Sequence, residues 1–212
     1  EIERIGKKII DNFNRNEHKD TFQSANERLK YWYVESQYNE LYHLKQLIDT
    51  FDMSDDYHKL FLCIFSSILK PTSKWLTKSI KPQVDPNKEI HCVIETFEKQ
   101  LKIFIKAIEQ EDYKGENEVE IQRMNVLDIE KEAYVDLVVT SPPYVTSYEY
   151  ADLHQLSSLW LGYASNFTDL RKDSIGSQYG ADKTIQWELN DTAKKITEQF
   201  PGNSQGAAIA RY

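Results

Sequence analysis

The run Val135-Asp-Leu-Val-Val-Thr140 passes directly into Ser141-Pro142-Pro143-Tyr144, and this stretch constrains the chain more than any other. Its apolar residues are almost continuous, the pattern of a central parallel strand buried on both faces. The proline pair then stops it. Neither proline supplies a backbone donor, and each fixes its φ angle, so no strand continues through them. The carbonyls around the pair are held stiffly, and no helix uses them up. Ser141 adds a side-chain oxygen and Tyr144 a flat ring. Rigid acceptors beside an aromatic plate suit a planar group that carries an amine. The expected fold class is therefore α/β, with the loop at the carboxyl end of the strand, where open sheets bind ligands.

The first 112 residues read differently. Ile2, Ile5, Ile9, Ile10 and Phe13 recur at three- and four-residue steps, which predicts a helix over 1–14. A second helical stretch covers about 23–50, with an ambiguous middle at Tyr31 to Tyr38. Ser54 precedes Asp55 and Asp56 as a helix cap, and Phe61, Ile64, Phe65 and Ile68 mark a buried helix that Pro71 stops. Residues 71–86 read as an irregular basic loop. Asp85-Pro86 is expected to open a further helix striped by Ile90, Ile94, Phe97, Leu101, Phe104, Ile105 and Ile108. Beyond residue 118, Val119 and Ile121 alternate with polar neighbours toward Asp128, as in a second strand. Leu153, Leu156, Leu159 and Trp160 predict a helix closed at Gly162, and Leu189, Ala193, Ile196 and Phe200 a last one.

Composition narrows the function classes. Of 212 residues 40% are hydrophobic, enough for a sizeable core, and 13 Tyr, 9 Phe and 4 Trp argue against disorder. A net charge of −8 excludes binding nucleic acid by bulk charge, although a few placed lysines suffice for a local groove. Cys63 and Cys92 fall in apolar helical patterns and are expected to be buried free thiols, as in a reducing cytoplasm. No apolar run reaches the length of a membrane span. The histidines share no ligand spacing with cysteine or carboxylate, so no metal is expected.

Ser141-Pro142-Pro143-Tyr144, set after "VDLVVT" and after an upstream "NVLD", resembles the catalytic signature of the amino-group DNA methyltransferases. That signature is Asp, Asn or Ser, then Pro-Pro, then Tyr or Phe. "YADLHQLSSLWLG" looks like the helix that follows the loop in one branch of the family, so the resemblance spans roughly residues 118–163. It implies part of a Rossmann-like methyltransferase sheet with a large helical insertion. Residues 1–117 would be that helical region, suited to DNA recognition, and 118–212 an incomplete part of the catalytic domain. The implied reaction moves a methyl group from S-adenosylmethionine to an exocyclic amine of a flipped DNA base, in a restriction-modification or phage-defence setting. Tyr144 would stack on the base, while Ser141 and the Pro142 carbonyl would accept from the amine. Attack would be direct, with no covalent enzyme intermediate. Ser at the first position leans toward N4-cytosine rather than N6-adenine.

The chain also departs from the family. None of its seven glycines is spaced Gly-x-Gly, so the Phe-x-Gly-x-Gly cofactor loop is missing. The remainder of a longer methyltransferase chain is expected to supply it, preferably before Glu1, and this segment is not expected to turn over alone. Asp128 is either near the cofactor or a strand-end carboxylate. Tyr148 lines the base pocket or simply packs. Lys70, Lys74, Lys78 and Lys81 contact the DNA backbone with Trp75 interleaved, or they decorate a solvated loop with Trp75 packed down. Two rivals stand: methylation of RNA or a protein glutamine, where relatives carry Asn or Asp before the prolines, and a non-catalytic helical interaction module.

Overall fold

The computed structural model describes residues 1–13, 20–76, 78–79, 81–110, 119–122, 124, 128–129, 134–141, 150–171 and 191–199. Four long helices and one short one form its body. Helix α1 (Ile2–Asn12) turns Ile5 and Ile9 inward, as their four-residue spacing dictates. Helix α2 (Glu27–Trp32) is short and starts at Asn26, whose side chain accepts from Arg28 N at 2.9 Å. The chain is extended at Tyr33 and Val34 before α3 (Glu35–Thr50) begins. That break sends the Tyr33 ring into the core, where its hydroxyl donates to the Leu69 carbonyl at 2.9 Å. Burial holds this phenol in its neutral form by pushing its pKa upward.

Helix α4 (Asp55–Ile68) starts at Ser54, which caps through its carbonyl rather than its hydroxyl, with Asp55 and Asp56 favourably placed against the helix dipole. Helix α5 (Val93–Gln110) begins later than Asp85-Pro86 predicts. Asp85 instead closes a local turn: its carboxylate accepts from Asn87 N at 3.0 Å, a side-chain bond that competes with helix formation. Helix α5 packs on α1, α3 and α4, and α3 packs on α1 and α4. Leu41, Leu44, Ile48, Phe61, Ile64, Phe65, Ile68 and Phe97 are fully buried between them.

The α1–α5 contact depends on Gly6. A Cβ there would crowd the Leu101 side chain, standing 3.2 Å from Cδ1 and 3.3 Å from Cγ and closer still to Cδ2. Leu101 is itself buried and has little room to yield. Gly6→Val is expected to destabilise the fold by about 1–3 kcal/mol through overpacking, seen as a lower urea midpoint at unchanged slope.

After residue 149 the chain returns to the body. Helices α6 (Tyr150–Leu153) and α7 (Gln155–Trp160) pack against each other and against the 3₁₀ turn Phe167–Arg171. Leu156 and Trp160 join the same core as Ile5 and Phe97. Gly162 ends α7 as the pattern predicts. Its φ of 74° is left-handed, and Tyr163 N and Gly162 N bond back to the Ser158 and Leu159 carbonyls at 2.9 and 3.4 Å, a Schellman closure. Helix α8 (Asp191–Glu198) follows, with Ile196 exposed.

The α/β expectation is overturned. The described residues are mostly helical and contain no β-strand; their one pairing of β type is an isolated antiparallel bridge between Trp75 and Val84. No part of a Rossmann-like sheet is formed by these residues. Val135–Thr140 forms no ladder, and Val135, Leu137, Val138 and Val139 are 59, 77, 73 and 86% exposed. Val119 and Ile121, the expected second strand, are exposed as well. The physical reason is the lack of neighbours. An apolar run records what a segment would bury, whereas a strand also needs flanking strands for its N–H and C=O groups and layers to cover its faces.

Cys63 is also a correction. It is exposed on α4, because Phe61, Ile64 and Phe65 take the inward positions around it; Cys92 is half-buried, and both thiols are free. Among the described residues, no helix is long and apolar enough to cross a membrane.

Candidate functional site

Of the signature, Ser141 is described, and it is exposed at the end of the exposed apolar run. Pro142, Pro143, Tyr144 and Tyr148 lie outside the described residues. What the structure describes is how the chain is held where it returns, six positions after Tyr144. Ala151 is buried at the start of α6, and Gln155, at the start of α7, is fully buried.

Gln155 is the polar centre of that anchorage. Its Oε1 accepts from Trp32 Nε1 at 2.8 Å and from Arg28 Nε at 2.6 Å. Its Nε2 donates to the Asp152 carbonyl at 2.7 Å. Asp152 in turn receives Arg171 through Nε and a terminal guanidinium nitrogen at 3.1 and 2.7 Å. A buried amide whose two ends are satisfied is stabilising, while loss of either partner leaves a desolvated polar group. Further along α7, Ser157 Oγ meets Ser66 Oγ at 2.8 Å. Trp160 wedges its ring among Tyr33, Tyr38 and Phe65, with centroid separations of 5.8, 5.0 and 5.7 Å.

The basic segment is not an irregular loop throughout. Around the Trp75–Val84 bridge, Leu76 N donates to Gln83 O at 2.8 Å and Asp85 N to Lys74 O at 2.9 Å, which makes a hairpin-like turn. Trp75 is fully buried, so of its two readings the packed one holds. It stacks on Trp32 with centroids 4.5 Å apart and planes at 26°. The Lys70 ammonium lies over the Trp75 ring at 4.8 Å, and burial lowers its pKa. Lys88 braces the base of the turn, donating to the Lys70 and Trp75 carbonyls at 2.7 and 2.8 Å. Burial lowers its pKa too, against the pull of the Asp85 carboxylate.

Lys74 is half-buried, while Lys78 and Lys81 are exposed on this braced turn. None of the three forms an ion pair with a described carboxylate. Residues 71–85 contain three lysines, Lys74, Lys78 and Lys81, and one carboxylate, Asp85, in a chain whose net charge is −8. The turn is thus a local positive feature on an acidic molecule. Asp128 is exposed, and neither recess beside α5 includes it, Ser141 or the lysines of the turn.

Trp32, Gln155, Arg28 and Lys88 escaped sequence reasoning. Trp32 and Gln155 are 123 positions apart, and no periodicity links residues at that distance. Lys88 resembles any surface lysine until its carbonyl partners are seen.

No protein-family model matches the chain, and neither does any curated protein or solved structure. The resemblance therefore rests on the signature residues themselves.

Neither recess given by the described residues brings together the residues expected to hold S-adenosylmethionine or the target base. One lies along α5, lined by Glu95, Glu98, Lys99 and Lys102, and the other lies between the start of α5 and the segment before it, lined by His91, Cys92 and Thr96; neither includes Asp128 or Ser141. No Gly-x-Gly turn is present for the close backbone approach that such a cofactor's loop uses. Among the described residues, no group of three His, Cys, Asp or Glu side chains could hold a metal ion.

Proposed function

We propose that this chain carries the target-base loop of an amino-group DNA methyltransferase acting in the cytoplasm on an exocyclic base amine, N4 of cytosine before N6 of adenine. The observation that carries the proposal is the sequence Ser141-Pro142-Pro143-Tyr144, which starts at an exposed serine and is followed within a few residues by a firmly anchored helix. A flipped base needs such an arrangement. Stiff carbonyls and a hydroxyl orient the amine, an aromatic ring takes the π-face, and the loop must not drift during the reaction. These requirements belong to the loop rather than to a sheet, because a function resides in a site and not in a fold class. The methyl donor, S-adenosylmethionine, enters through the resemblance alone. Its binding residues are assigned to no described part of this chain.

DNA is the proposed partner, and the braced turn its proposed backbone contact. Each lysine that neutralises a phosphate releases counterions, so binding weakens with salt. Replacing both Lys78 and Lys81 by alanine is expected to weaken DNA binding about tenfold and to lower the slope of log K against log salt by about two. Fluorescence anisotropy at several salt concentrations checks this. An unchanged slope would remove the lysines from the interface.

The helical architecture favours a second reading, a non-catalytic interaction module. Transfer of tritiated methyl groups from S-adenosylmethionine by the full-length protein separates the two. DNA labelling supports the proposal, label on RNA or protein moves the substrate class, and no label on any acceptor supports the module.

A further inference from the structure

We propose that Trp32 is a positioning residue that couples the lysine turn to the segment following the Ser-Pro-Pro-Tyr loop; this rests on the methyltransferase reading above. Three separate contacts converge on this one side chain and its peptide. Its indole face stacks on Trp75 at the base of the turn. Its carbonyl accepts from Lys74 N at 2.8 Å, which holds the arm of the turn that carries Lys74. Its indole N–H donates to Gln155 Oε1 at 2.8 Å, in the helix that receives the chain after the loop. The three side chains are buried: Trp32 and Trp75 are each 1% exposed and Gln155 0%.

The Arg28 guanidinium closes the cluster. It stacks over Tyr31 and Trp32 at 4.9 and 5.2 Å while donating to the same Gln155 oxygen. A stacked indole and a buried amide have few alternative rotamers, so the turn and α6–α7 move as one piece. Phosphate contacts made at Lys78 and Lys81 would then set the register of the duplex against the base-holding loop. Binding and base capture are linked through a residue that touches neither DNA nor the reacting atoms.

The test measures steady-state methyl transfer to DNA by the full-length protein, with rates expressed per folded molecule from a melting curve. Trp32→Phe keeps an aromatic ring against Trp75 but deletes the N–H donor, and Gln155→Met deletes the acceptor. Both are expected to lower kcat about tenfold with KM for DNA within about twofold, since a shifted loop loses orientation and not phosphate contacts.

An unchanged kcat per folded molecule in Trp32→Phe and Gln155→Met overturns the coupling. So does a loss that merely follows the folded fraction. A wild-type protein that transfers no methyl group sinks the function reading and this inference with it. An active wild type with indifferent variants sinks only the inference.

Discussion

Replacing Tyr144 by alanine is expected to lower methyl transfer to DNA by about 100-fold or more and to leave the melting curve of the protein unchanged. The magnitude follows from what the ring is asked to do. A base swung out of the duplex has given up a few kcal/mol of stacking and pairing. Stacking on an aromatic side chain returns about 1–3 kcal/mol of this. The same ring fixes the plane of the base, and with it the direction of the amine, and a small misplacement costs as much again. Tyr144→Phe keeps the plate and drops only the hydroxyl, so it is expected to stay within about threefold of wild type. The pair of variants therefore separates stacking from hydroxyl chemistry. Transfer by Tyr144→Ala at the wild-type rate would mean that the ring holds no base.

The second large effect concerns stability. Trp160→Ala is expected to cost about 3–5 kcal/mol, the range for deleting a large buried aromatic side chain. Trp160 is 8% exposed and fills the space between α3, α4 and the extended residue Tyr33. Its removal would strip three rings of a partner and leave a void that rigid helices close poorly. Set against a typical folding stability of about 5–15 kcal/mol, such a loss brings the protein near its threshold. Tyr163, three residues on and 64% exposed, supplies the control: Tyr163→Ala is expected to change stability by no more than about 0.5 kcal/mol. Urea titration followed by circular dichroism reads both. A mild effect at Trp160 would mean that α7 is only loosely attached to the helical body.

How much of this was legible beforehand depends on how local the cause is. The stripes of α1 and α4 gave Ile5, Ile9, Phe61, Ile64, Phe65 and Ile68 correctly as inward residues, because helix periodicity acts within one segment. Gly162 was readable as a helix stop for the same reason. Asp85-Pro86 misled because two local devices compete for the same aspartate, a helix cap and an Asx turn, and here the turn won. Val135–Val139 misled more deeply. Their hydrophobicity is real, yet pairing depends on other segments, and the described residues offer none. At the candidate site, the signature is entirely a sequence observation. The Trp32–Trp75–Gln155 cluster is entirely a structural one, since tertiary contacts over such separations leave no trace in spacing or propensity.

The central claim is that Ser141-Pro142-Pro143-Tyr144 presents acceptors to a base amine. Its most direct test is nucleoside analysis by mass spectrometry of DNA treated with the full-length protein and S-adenosylmethionine. The account predicts N4-methylcytosine, a methyl group on the exocyclic nitrogen. Methylation at carbon 5 of cytosine, or DNA with no added methyl group at all from a correctly folded protein, would contradict it.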